Sequence, residues 1–253
     1  MTKYLIAGDF HGNHIWAKKV IDEAIKRNIN KIIQVGDFGI WPGKEGQEYL
    51  YILNRYLVKH DVKLYFLPGN HEDWNQLDLW SQEGPITDEG FIHILDNIYY
   101  TNKINMWIWE GKKFGVIGGA VSIDKNLRIP QISWWPQENL SAMEMSGIVN
   151  MSRKIDYLFT HDAPSNIPFD WLIPHKESEQ HRKLFDIIGY LYQPKKWFHG
   201  HYHMYQEYTF KHSGGYTNVY SLDADDRACS HYSKAMFNHA VILNADTGEV
   251  ARI

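Results

Sequence analysis

Tyr4-Leu5-Ile6-Ala7-Gly8-Asp9-Phe10-His11-Gly12 runs from a short apolar segment into a glycine-bounded turn carrying a carboxylate and an imidazole. Four consecutive apolar residues closed by glycine read as a buried strand. The pattern recurs twice in the first third of the chain. Lys31-Ile32-Ile33-Gln34-Val35 leads into Gly36-Asp37-Phe38-Gly39, and Lys63-Leu64-Tyr65-Phe66-Leu67 leads into Pro68-Gly69-Asn70-His71-Glu72. Between these runs, Ile15, Val20, Ile21 and Ala24 recur at helical spacing, as do Tyr49, Leu50, Leu53, Tyr56 and Leu57. Helices over residues 14–27 and 45–60 are therefore expected. Strand and helix in alternation predict a parallel sheet of β-α-β units. Such sheets bind ligands beyond the carboxyl ends of their strands, where Asp9, Asp37 and Asn70 fall.

Two later segments repeat the theme. Tyr157-Leu158-Phe159 runs into Thr160-His161-Asp162, and His199-Gly200-His201-Tyr202-His203 follows near residue 200. The middle of the chain differs, with short strand-like runs such as Met106–Trp109 and Phe114–Ile117. A loop-rich stretch over 119–138 comes next, and helices are expected from Glu138 to about Asn150 and over 176–192. Further strands are read through Val219, Tyr220 and 240–243. The pattern predicts an α/β fold in which two mixed β-sheets pack face to face and helices cover the outside. One domain spanning 1–253 is expected.

With 44% hydrophobic and 15% aromatic residues, the chain can bury a substantial core. The net charge of −4 comes from acids and bases mixed along the sequence, which argues against a long nucleic-acid partner. Cys229 is the single cysteine, so no internal disulfide can form. No apolar run approaches the roughly 20 residues that span a bilayer. The start of the chain has neither the length nor the cleavage site of a signal peptide. A cytoplasmic protein without membrane partners is expected, its oligomeric state open.

The five polar segments together offer Asp9, Asp37, Asn70, His11, His161, His201 and His203. Such a mixed oxygen and nitrogen set suits borderline divalent cations. Singly, each residue is an ordinary turn or cap residue, since Asp and Asn favour turns. In ordered succession they predict a dinuclear metal site. A carboxylate such as Asp37 can bridge two ions, and a pair about 3.5–4 Å apart can activate water and bind phosphoryl oxygens. Residues 201 and 203, two apart, are expected to share a strand face.

The ordered blocks D-x-H, GD, GNH[ED], H and GHxH resemble the calcineurin-like metallophosphoesterase superfamily, and the stretch from Gly118-Gly119-Ala120-Val121-Ser122-Ile123-Asp124 through Arg128 to Trp134-Trp135-Pro136 resembles its small bacterial and phage-type members. The resemblance covers residues 9 to 203. It implies two divalent ions, Mn²⁺, Fe²⁺/Fe³⁺ or Zn²⁺, with Asp9, His11, Asp37 and His203 around one. Asp37, Asn70, His161 and His201 would surround the other. It further implies that His71 contacts the phosphate and protonates the leaving oxygen, while a hydroxide held by the ions attacks phosphorus. The phosphoprotein phosphatase branch carries GDxxDRG, whereas Gly36-Asp37-Phe38-Gly39-Ile40-Trp41-Pro42 lacks its acid and its arginine. Support for His71 must then come from elsewhere, with Asp162 and Glu72 as candidates.

The expected activity is hydrolysis of a phosphomonoester or phosphodiester, small or nucleotide-like. A catalytically silent scaffold on the same fold and a phosphoprotein phosphatase are the alternatives. Arg128 could clamp a phosphate bidentately, joining Asn70 and His71 as substrate contacts, although a loop arginine is commonly just exposed. Trp134 and Trp135 could stack a base, but packing of their loop is the commoner fate. His199 reads as a packed or supporting residue. His14, His60, His93, His175, His181, His212, His231 and His239 read as surface or core residues.

Overall fold

A computed structural model of the chain describes residues 2–151, 154–167, 169, 175–227 and 238–253. Cys229 and His231 lie outside the described residues. Strands β1 (Lys3–Ala7), β2 (Lys31–Gln34) and β3 (Lys63–Phe66) pair in parallel, joined by helices α1 (His14–Lys26) and α2 (Gly43–Lys59). These are the β-α-β units expected from the sequence. Asn13 caps α1 by accepting from the Trp16 N–H, which satisfies a donor that the first turn leaves free. The buried face of α1 is Trp16, Ala17, Val20, Ile21 and Ala24. Ile15, expected on that face, is 62% exposed, because Trp16 takes the inward position.

Helix α3 (Trp74–Glu83) was not legible as a helix from apolar spacing; Asp73 caps it, and only Trp74 and Leu77 are buried. Strands β4 (Ile92–Leu95) and β5 (Ile98–Tyr100) complete one edge of the first sheet. At the other edge, β12 (Ala240–Asn244) and β13 (Val250–Arg252) add antiparallel, giving the order β13-β12-β1-β2-β3-β5-β4. The second sheet contains β6 (Ile104–Trp109), β7 (Lys112–Ile117), β8 (Tyr157–Thr160), β9 (Lys196–His199), β10 (Gln206–His212) and β11 (Gly215–Ser221). Its order is β10-β11-β9-β8-β7-β6, with β7, β8 and β9 parallel. Both sheets are mixed, as expected.

Side-chain alternation along each strand sorts residues between two faces. Tyr4, Ile6, Ile33 and Val35 meet Phe114, Phe159, Phe198 and Tyr220 between the sheets. The opposite face of the first sheet, through Leu5, Ile32 and Leu64, packs on Val20, Leu53 and Leu57 of α1 and α2. Helices α4 (Ala142–Asn150) and α5 (Lys176–Tyr192) cover the second sheet, with Ile148, Phe185 and Ile188 against Leu158 and Trp197. Burying each such aliphatic or aromatic side chain contributes about 1.5–3 kcal/mol. Helix α4 begins at Ala142 rather than near Glu138, because Ser141 and Glu144 form a reciprocal capping box there. No helix among the described residues is long and apolar enough to cross a membrane.

Candidate metal centre

Six parallel strands, β1, β2 and β3 in one sheet and β7, β8 and β9 in the other, end at the same rim. The turns that follow them carry every metal-ligand candidate. Asp9, His11, Asp37 and His203 bring ligand atoms within 4.8 Å of one another, and so do Asp37, His161 and His201. Asp37 belongs to both clusters. Asn70 joins the second, its Oδ1 lying 3.1 Å from His161 Nε2.

The turns interlock. Phe10 and His11 donate their N–H groups to the Asp37 carbonyl at 3.0 and 2.8 Å. The fully buried Glu72 accepts from the backbone N–H groups of Phe38, Gly39 and Ile40 at 2.6, 3.2 and 2.7 Å. His11, Asp37, His201 and His203 have φ values of 45°, 51°, 70° and 49°. This left-handed conformation costs about 1–2 kcal/mol for each residue with a side chain. The surrounding hydrogen bonds hold these turns in a geometry that the local sequence disfavours.

His201 and His203 do not share a strand face, because β9 ends at His199 and the chain then turns. The turn sends His201 to the cluster of His161 and His203 to that of Asp9, 3.3 Å from Asp9 Oδ2. Glycine is required here chiefly for space. A Cβ on Gly200 would lie 2.1 Å from Asp9 Oδ1, one on Gly69 2.0 Å from Asp37 Oδ1, and one on Gly36 2.2 Å from His161 Nδ1.

The donor set fits a cation. His161 Nδ1 lies 2.9 Å from the Val35 carbonyl and donates to it. Its Nε2 is thereby turned toward Asn70 Oδ1 and Asp37 Oδ1, the latter 3.4 Å away. Asn70 presents its oxygen because its Nδ2 donates to Ser122 Oγ at 3.0 Å. Asp37 Oδ2 is buried, and the contact it has is a long one, to His11 Nε2 at 3.5 Å, a state that costs free energy unless something positive fills it. Protons partly serve that purpose. Burial alone would lower His11, but the hydrogen bond to Asp225 and the nearby Asp37 carboxylate raise it to about 10. Burial likewise disfavours a charge on His161, yet Asp37 raises it to about 9. Burial and the neighbouring His161 push His201 down to about 3.

Three contributors were missed by the sequence reading. Asp225 accepts from His11 Nδ1 at 3.1 Å and from Asn13 Nδ2 at 2.7 Å, fixing the ring so that Nε2 faces Asp37. Ser122 and Glu138 orient Asn70. Glu138 accepts from the Ser122 N–H, the Ser122 hydroxyl and the Trp134 indole at 2.8, 2.9 and 2.9 Å. Neither Asp225 nor Glu138 sits in a block with glycine, so only the fold reveals them. Trp134 thus serves its loop, and Trp135 is buried in the core.

Neither candidate for the support of His71 reaches that residue. Glu72 is committed to the turn after Asp37. Asp162 accepts from His181 Nδ1 at 2.7 Å and from the Tyr202 hydroxyl at 2.6 Å, steadying the turn that carries His201 and His203. What meets the His71 ring is Arg128, whose Nη2 lies 2.9 Å from Nε2 and pairs with Asp124 Oδ1 at 2.9 Å. The His71 N–H donates to Asp37 Oδ1 at 2.8 Å. Burial, with Arg128 alongside, lowers the pKa of His71. His199 stays back from the clusters, paired with the Gly200 carbonyl at 3.0 Å and the Tyr208 hydroxyl at 2.6 Å.

The two mixed sheets thus carry a carboxylate shared between two donor clusters at one rim. A model of the calcineurin-like phosphoesterase family matches residues 2–205, and the chain belongs to that family. No curated protein matches the sequence. Among solved structures, one from Thermus thermophilus aligns over 100% of this chain and 98% of its own, with TM-score 0.60 and 11% identity. A dimetal phosphatase from Danio rerio aligns over 95% of this chain and 91% of its own, with TM-score 0.58 and 13% identity. At such identities the likeness establishes a shared fold.

Proposed function

We propose that this chain is a dimetal phosphoesterase that hydrolyses a small or nucleotide-like phosphomonoester or phosphodiester. The carrying observation is the buried Asp37 carboxylate, which belongs to both donor clusters and has one oxygen met only at long range, by His11 Nε2 at 3.5 Å. Asp9, His11, Asp37 and His203 would hold one ion, and Asp37, Asn70, His161 and His201 the other, with Mn²⁺, Fe²⁺/Fe³⁺ or Zn²⁺ all chemically suited. Bound ions would supply Lewis acidity to the phosphoryl oxygens and lower the pKa of water.

The protein's own groups do the rest. Asn70 adds a ligand oxygen without adding negative charge beside a phosphate. Arg128 offers a planar pair of donors to phosphoryl oxygens. His71, anchored through its backbone to Asp37, would supply the proton to the departing ester oxygen. A neighbouring phosphate dianion favours its protonated form, offsetting the effect of burial. Such proton transfer contributes typically about 10²–10⁴-fold in rate.

The test combines metal analysis with hydrolysis of p-nitrophenyl phosphate and bis(p-nitrophenyl) phosphate in Mn²⁺. Asp37→Ala is expected to lose activity and at least one ion. His71→Ala is expected to keep both ions and lose most of kcat. Full activity in either variant, or in chelator, would overturn the assignment.

A further inference from the structure

We infer that the ester substituent recognised by this site is a planar aromatic ring, held against Trp41 in a cavity beside His71. This deepens the proposed function and rests on it. Two cavities meet at His71 and Arg128, which line both. One, of about 330 Å³, is lined by Asn70 and His201 of the second donor cluster together with Ser122 and Asp124. The other, of about 420 Å³, is lined by Trp41, Pro42, Ile132 and Trp135 together with His71 and Arg128. Because His71 and Arg128 line both cavities, a phosphate bound beside them in the first would direct its ester oxygen toward the second. The substituent on that oxygen then extends into the second.

Asp73 and Ser133 also line that second cavity, but Trp41, Pro42, Ile132 and Trp135 give it an apolar side. Trp41 is 38% exposed and Ile132 59% exposed, so each keeps apolar surface in water. The Trp41 indole is also fixed in place. Its six-membered ring lies against Gly12, where a Cβ would meet it at 3.0–3.2 Å. A positioned indole beside a proton donor is a stacking platform that accepts any flat ring. Helix α2, whose N-cap is Pro42, sets the backbone that carries it.

The shared chemistry is a flat ring, which a nucleobase or a simple aryl group could supply. Binding to Mn²⁺-loaded protein is measured by calorimetry, comparing phenylphosphonate with methylphosphonate, whose C–P bonds resist hydrolysis. Adenosine 5′-monophosphate and ribose 5-phosphate are compared as competitors. In one pair at least, the ring-bearing member is expected to bind roughly 10-fold more tightly, and the pair that shows it identifies the ring. Trp41→Ala should abolish the preference and Trp41→Phe should retain it. Ile132→Ala, at the cavity mouth, should weaken it if position 41 tolerates no change. Absence of preference in both pairs, or its survival in Trp41→Ala, overturns the inference. Hydrolysis of esters without any ring preference would defeat this inference alone. Ring preference without hydrolysis of any ester would defeat the phosphoesterase reading alone.

Discussion

Asp225 Oδ1 stands 3.1 Å from His11 Nδ1, a contact between residues 214 positions apart. The carboxylate also accepts from Asn13 and from Arg227 Nε, the latter at 2.9 Å. Its pKa, which burial would raise, is held down at about 2 by His11, Asn13 and Arg227. Such a partner fixes the tautomer of a ligating imidazole and raises its basicity. Asp225→Ala is therefore expected to weaken Mn²⁺ binding about 10–100-fold, with an unchanged circular dichroism spectrum. Equal titration curves for variant and parent would remove Asp225 from the site.

Glycine 69 allows no side chain. A methyl group there would meet Asp37 Oδ1 at 2.0 Å and the Asp37 backbone nitrogen at 2.3 Å. Gly69→Ala should displace the shared carboxylate, lowering metal stoichiometry and kcat together. Gly147 sits in helix α4 with nothing within 4 Å of its would-be Cβ, so Gly147→Ala serves as the control and should match the parent. Retention of two ions by Gly69→Ala would show that Asp37 can give way.

Arg128 reaches His71 from the loop after β7 and is not a ligand candidate. Arg128→Ala should leave metal content intact and reduce kcat/KM roughly 10–100-fold, mainly through KM, as expected for a contact made equally in ground and transition states. A loss confined to kcat would instead place Arg128 on the transition state.

Glu138 gives a pH signature in stability. Burial raises its carboxyl from 4.5 to about 7, against the pull of the Ser122 and Trp134 hydrogen bonds. The folded protein therefore keeps a proton that the unfolded chain releases. Its contribution to stability is complete below about pH 4.5 and is lost as pH rises through about 7. Glu138→Gln should abolish this component. The difference in melting temperature between parent and variant should shift in favour of the variant from pH 5 to pH 8, in metal-free protein. A difference that is constant with pH would mean that Glu138 titrates normally.

How much could be read from the chain alone varied with the range of the forces involved. The early strands and helices were legible because Tyr4–Ala7, Lys31–Val35 and the apolar positions of α1 and α2 state their periods locally. Helix α3 was not, since it buries little and its cap is its main signal. The ligand candidates were legible as ordered blocks, and the structure brings all seven into two adjoining clusters. Neither Glu72 nor Asp162 supports His71, because Glu72 is taken up by the turn after Asp37 and Asp162 by His181 on α5 and by Tyr202. The spacing of His201 and His203 suggests a shared face and hides their division between clusters, which the family resemblance implies and the geometry shows.

The sequence by itself determined the alternation of strand and helix, the two-sheet class, and the kinds of ligand atom on offer. Short-range periodicity and side-chain chemistry carry that information without reference to distant residues. Only the tertiary structure decided which atoms face one another: Asp225 behind His11, Ser122 and Glu138 behind Asn70, Arg128 rather than an acid beside His71, and the Trp41 indole over Gly12. Those choices depend on how two sheets stack and on turns held at positive φ by hydrogen bonds from elsewhere in the fold. Contacts of that kind leave no periodic trace in the order of residues.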